Sequence, residues 1–195
     1  KQDFPNLRHY YLFQIWPNSC SMGNGHGDML REVQRELPRL FAHMDIMPTL
    51  GIKPPGRCHY PLTGWAEFAR LMQPLIERDF YGKTPATPIT APNLQRASYA
   101  AGRRDAIALE FDQAMNWSSF SLPNYYVDDV GGKITSGSAT GNIVTLQLSS
   151  AAATSATLDY LKDSIWNLGE SVSSLLYGAN GIPALTFADV GIEPP

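Results

Sequence analysis

The sequence predicts an α/β first half built on a parallel sheet, followed by a small antiparallel β-sandwich. Two patterns carry this prediction. Up to residue 82, aromatic and β-branched runs alternate with amphipathic helical segments, the strand–helix–strand–helix order of a parallel sheet with covering helices. From residue 94, short runs alternate apolar with other residues between glycine-rich turns, as antiparallel sheets do. Residues 83–93 (KTPATPITAPN) set Pro85, Pro88 and Pro92 among small polar residues, the composition of an extended linker. The expected division is therefore 1–82, a linker at 83–93, and 94–195.

Taken in order, His9 to Trp16 (HYYLFQIW) is dense enough in aromatic and β-branched side chains for a strand buried on both faces. The glycine-rich GNGHGD (23–28) follows, and Asp28 is placed to cap a helix carrying Met29, Val33, Leu37, Leu40 and Phe41 at helical spacing. Pro38 is expected to end or bend it. Met44 to Leu50 reads as a second strand. Thr63 offers the cap of a second helix with Trp65, Phe68, Ala69, Met72 and Ile76 on one face, kinked or split at Pro74 and closed by Gly82. Beyond the linker, AIALEF (106–111) and IVTLQL (143–148) alternate as half-buried strands do, with turns expected at 130–133 and 138–142. Two strands cannot close a doubly covered parallel sheet, so HYYLFQIW is expected to pair with strands of another polypeptide.

Composition excludes several classes of function. With 15 Lys+Arg against 18 Asp+Glu, a net charge of −3, the chain lacks the basic footprint of a nucleic-acid binder. Its apolar runs fall well short of the ~20 residues of a spanning helix, and no lipidation signal is visible. The opening Lys1-Gln2-Asp3-Phe4-Pro5 has no charged-then-apolar leader and reads as the middle of a longer protein. Cys20 and Cys58 form no CxxC pair, which removes zinc-ribbon and thioredoxin readings. They are either two buried thiols or, if the strands before them are neighbours, a disulfide formed in an oxidising compartment.

Chemistry concentrates around His59, in PPGRCHYPLTGWAEF (54–68). A lone histidine is more often structural than catalytic. This one follows a predicted parallel strand, on the side where α/β sheets carry their working loops, and an imidazole there suits a general base for a hydroxyl nucleophile. GNGHGD lacks both G-x-G-x-x-G and the P-loop lysine. His26 and Asp28 have no third metal ligand in view, so a turn and helix cap is the preferred reading. Trp117 and Trp166 lie near predicted turns, where an exposed ring stacks on ligands. The run 124–127 reads as a core strand.

Three blocks of the first half, YYLFQIWPNSC (10–20), LREVQRELPRL (30–40) and CHYPLTGWAEFARLM (58–72), resemble the C-terminal portion of SGNH-type carbohydrate esterases of the sialate O-acetylesterase-like and acetylxylan-esterase-like branch. LYGANGIPALTFADV (176–190) resembles the closing segment of the small β domain such enzymes append. The resemblance implies part of a three-layer α/β/α parallel sheet, a serine nucleophile from a Gly-Asp-Ser or Gly-x-Ser block, and a histidine from an Asp-x-x-His block. His59 carries over as the catalytic base. The serine does not, since Ser19, Ser21 and Ser118 lack its context. Where the acid belongs, this chain has Gly56, which leaves a backbone carbonyl, Asp45 or an acid from the serine-bearing portion to orient the ring. The implied activity is removal of O-acetyl groups from glycans, with no metal or organic cofactor, by a secreted or periplasmic protein. Its implied partners are an acetylated carbohydrate and an N-terminal portion, on the same or a separate chain. The rival expectation is a non-catalytic glycan-binding or structural β-sandwich module attached to a degenerate esterase domain.

Overall fold

A computed structural model describes residues 3–17, 26–52, 62–163 and 174–194. His59, Cys20, Cys58 and Trp166 lie outside them. The described part of the first half contains strand β1 (Tyr10–Gln14), helix α1 (His26–Leu40), strand β2 (Met44–Pro48) and helix α2 (Leu62–Tyr81). β1 and β2 are parallel and in register from Tyr10–Met44 to Gln14–Pro48, and among the described residues each has a strand neighbour on one side only.

The remainder is antiparallel. β3 (Leu94–Tyr99), β4 (Ala106–Phe111), β8 (Ile134–Thr140) and β9 (Ile143–Leu148) form one sheet in the order β3-β4-β9-β8. β6 (Tyr125–Val127), β7 (Val130–Gly131), β10 (Thr157–Tyr160) and β12 (Phe187–Gly191) form another, β12-β10-β6-β7. β5 (Met115–Asn116) and β11 (Tyr177–Gly178) make a short pair of their own. The expected three-layer α/β/α parallel sheet is therefore corrected: the parallel part has two strands, and the chain is dominated by antiparallel sheets. The reason is one of counting. Strand–helix–strand–helix needs only two parallel strands to satisfy it, so the pattern read from the sequence does not fix the size of the sheet.

The two four-stranded sheets share one core. On β4 and β9 the alternation seen in the sequence is the alternation of burial: Ile107, Leu109 and Phe111 point inward with Val144 and Leu146, and Ile107–Leu146 and Leu109–Val144 are cross-strand pairs. From the facing sheet come Tyr125, Val127, Leu158, Tyr160 and Phe187, with rings stepped at 5.0 Å (Tyr125–Tyr160) and 5.7 Å (Tyr160–Phe187). Each fully buried side chain of this size contributes roughly 1.5–3 kcal/mol. Trp16 and Leu50 reach this core from the first half. A second core unites Met47, Leu71 and Leu75 with Ile182 and Leu185, and Ile89 and Ala91 of the proline-rich segment pack into it. The turn between β6 and β7 falls at Asp128–Asp129, three residues before the expected Gly131–Gly132; the turn between β8 and β9 falls at Gly141–Asn142, at the end of the expected stretch.

Both helices depart from expectation. α1 begins at His26, so Asp28 lies in its first turn and not at the cap, and Pro38 lies inside it. Most of its apolar stripe faces solvent: Met29 is 49% exposed, Val33 54% and Leu40 72%, with Phe41 just past the helix end at 55%, while Leu37 is half-buried. Its buried residues are instead Asp28, Arg31 and Arg35. α2 runs unbroken through Pro74, and it buries Gly64, Leu71 and Leu75 in place of Trp65 and Ile76, which are exposed. Helical period alone does not say which of two partly apolar faces meets the core. Here polar docking decides it for α1.

Candidate functional site

Because β1 and β2 are parallel neighbours, the segments that follow Gln14 and Pro48 leave the same end of the pair. Cys20 belongs to the first of these segments; Cys58 and His59 belong to the second, which joins β2 to α2. This carboxyl end is firmly anchored. The Gln14 amide nitrogen donates to the carbonyls of Arg31 (3.0 Å) and Thr186 (2.9 Å), and its oxygen accepts from the Thr186 amide at 2.8 Å. The Thr49 hydroxyl donates to the Gln14 carbonyl at 2.8 Å, and the Ile15 amide donates to Gln34 Oε1 at 3.0 Å. A glutamine inside a strand satisfies α1 and the 186 segment together, so the end of β1 is tied to both halves.

Arg31 is the centre of that tie. It is 1% exposed and donates to Asp28 (2.5 Å), to Asp163, to the Leu161 carbonyl (2.8 Å) and to Thr186 Oγ1 (2.9 Å). Asp28 also accepts from the Asp163 amide at 2.9 Å. The Asp28 carboxylate is thus a structural acceptor in the first turn of α1, where the helix dipole also favours it. Gly27 lies against the Asp163 carboxylate so closely that a β-carbon would overlap it. Gly27→Ala is therefore expected to destabilise the protein by about 1–3 kcal/mol despite alanine's better helix propensity. Chemical denaturation reads this directly, and a gain in stability would contradict the packing described.

The opposite end of the parallel pair holds a second cluster. His9 Nε2 lies 2.9 Å from Asp45 Oδ2, and the Tyr11 hydroxyl donates to Asp79 at 2.8 Å. Arg78 donates to Asp45 and to Asp79 (2.6 and 2.9 Å). The Arg78 hydrogen bonds hold the Asp79 carboxyl below its usual range against the opposing pull of burial. Burial and then the bond to Asp79 push the Tyr11 phenol above its own. A cleft of about 640 Å³, lined by Pro5, Leu7, Arg8, His9, His43 and Asp79 among others, adjoins the cluster.

Asp45, expected as a substitute acid for His59, is the second residue of β2 and not a residue after it. Its carboxylate is engaged by His9 and Arg78. From there to Pro48 is about 10 Å of extended chain. Trp117 is likewise not an open platform: it packs on Tyr125, ring centroids 6.3 Å apart, and covers Gly137, where a side chain would overlap the indole. The clusters at Arg31 and His9 escaped the sequence because nothing in local periodicity distinguishes a docking arginine from a solvated one.

No protein-family model matches the sequence, and no curated protein matches it. Among solved structures the chain is similar to the S-layer protein rSbsC(31-844), with 12% identity and a TM-score of 0.34, covering 68% of this chain and 16% of that one. No helix among the described residues is long and apolar enough to cross a membrane.

Proposed function

We propose that the chain is part of a secreted serine esterase that removes O-acetyl groups from glycans. In this reading His59 is the general base for a serine contributed by sequence outside these 195 residues. The observation that supports it best is the parallel register of β1 and β2, because the segment carrying His59 departs from the carboxyl end of β2, where parallel sheets carry their catalytic loops. The exposed stripe Met29, Val33, Leu40 and Phe41 supports the second half of the reading: an apolar face of that extent on a helix is the kind that another protein portion covers. A backbone carbonyl, or an acid of that portion, orients His59 without displacing His9 or Arg78 from Asp45. The rival reading, a glycan-binding module, gains nothing from Trp117, whose ring is packed.

The test is hydrolysis of an aryl acetate and of an acetylated sugar by the full-length product of the gene and by the 195-residue chain. Turnover is expected from the first and none above background from the second. Turnover by the short chain alone, or by neither, contradicts the proposal. The same reading expects Cys20 and Cys58 to be bonded in unreduced protein, closing a loop that contributes roughly 3–4 kcal/mol. Two alkylatable thiols in protein never exposed to reductant contradict that bond.

A further inference from the structure

The sheet β12-β10-β6-β7 brings three aspartates together from neighbouring strands. Asp159 lies in β10 between Leu158 and Tyr160, whose side chains fill the core, so strand alternation turns Asp159 to the sheet's other face. Asp129 sits in the two-residue turn between β6 and β7. There Asp128 and Asp129 take φ of 50° and 61° while Val127 pairs with Val130, as in a type I′ hairpin. Asp189 lies on β12 where the register slips: between the pairs Leu158–Val190 and Tyr160–Phe187, β12 carries one residue more than β10. Asp189 takes φ 52° at this bulge, and bulges re-aim side chains. The outcome is three carboxylates, each offering an oxygen within 4.8 Å of the others.

Asp159 supplies a second, separate observation. It is 2% exposed; its Oδ1 accepts from the Asp189 amide at 2.9 Å, whereas its Oδ2 is buried and accepts no hydrogen bond. Lys162 Nζ forms an ion pair with that oxygen at 3.6 Å, too long for a hydrogen bond, and donates its hydrogen bond to Asp129. With three carboxylates ionised against one ammonium, the net charge is −3 + 1 = −2, that of a dication's counter-charge. The cluster of His9, Asp45 and Asp79 also gathers possible ligands, but hydrogen bonds from His9, Tyr11 and Arg78 already occupy its carboxylates.

We propose that Asp129, Asp159 and Asp189 form a Ca²⁺ site, with the Lys162 ammonium as the competing occupant. All the donors are oxygens, the set that hard divalent cations take, and water completes the six to eight ligands typical of Ca²⁺. Mg²⁺ demands near-ideal octahedral geometry and gives up its water reluctantly, so a site built from protein carboxylates on a sheet face favours Ca²⁺. A signal was present in the sequence: single aspartates interrupt the apolar runs TLDYL and TFADV.

The experiment is thermal unfolding and calorimetric titration of the 195-residue protein freed of metal with EDTA. At about 10 mM CaCl₂ the melting temperature is expected to rise by about 3–10 °C, as a dissociation constant of roughly 0.1–1 mM implies. The same concentration of MgCl₂ should raise it distinctly less. Asp129→Asn and Asp189→Asn alter exposed side chains and should fold, yet each should weaken Ca²⁺ binding roughly tenfold or more. Lys162→Gln removes the competing ammonium and should lower the Ca²⁺ midpoint several-fold, which a merely structural lysine would not do. Identical melting in Ca²⁺ and EDTA with no heat of binding overturns the site. So does a Ca²⁺ response that survives both aspartate variants, or one that is lost in Asp79→Asn. An equal response to Mg²⁺ overturns the selectivity.

Discussion

Arg31→Met is expected to destabilise the protein by about 3–5 kcal/mol, the usual cost of removing one partner from a buried ion pair. Methionine keeps most of the volume and the aliphatic stem, so lost packing is a minor part of the effect. What remains is worse. Asp28 and Asp163 are left facing each other in the interior, and the Leu161 carbonyl and Thr186 hydroxyl lose a donor. The intact cluster does not owe the protein the same amount in reverse, because desolvating three charged groups offsets much of their attraction. For a chain of this length the loss corresponds to a melting temperature lower by about 10 °C. Arg31→Met/Asp163→Asn should recover part of it by removing one orphaned charge. A single-variant loss below about 1 kcal/mol would mean that α1 is not docked through Arg31.

His59→Ala is expected to lower the deacetylation rate of the full-length gene product by roughly 10²–10⁴-fold, the range for a general acid–base group. Members of a catalytic triad act as a unit, which pushes the loss toward the upper end. The base acts on the chemical step, so kcat should carry the loss and KM should change little. A structural histidine would show the reverse pattern, with a lowered melting temperature and near-normal turnover of the folded fraction. Asp45→Asn separates the candidate acids. If a carbonyl or an outside acid orients His59, this variant should keep its rate and lose stability instead, because Arg78 and His9 lose their shared acceptor.

Where alternation was strict and burial one-sided, the sequence was legible: AIALEF and IVTLQL are β4 and β9 residue for residue. β1 and β2 were found as well, and their parallel pairing followed from the helix between them. The size of the sheet was not legible, since two strands and six produce the same local pattern. The orientation of α1 was not legible either. Its apolar stripe is real, but Arg31 and Arg35 find buried acceptors, among them Asp163 and Thr186, more than 130 residues away in the chain, and so outbid Met29 and Val33 for the interior. Of the candidate site, the segment carrying His59 could be assigned to the end of β2. The occupied state of Asp45 could not, because Arg78 lies 33 residues further on.

The claim that this chain supplies a base to a serine located elsewhere is tested most directly by mapping that serine. The full-length gene product would be treated with a fluorophosphonate probe, digested, and the labelled peptide identified by mass spectrometry, in wild type and in His59→Ala. The account predicts one labelled serine outside the 195 residues, with labelling strongly slowed in the variant. A labelled serine within these residues, labelling indifferent to His59, or no labelled serine at all would contradict it.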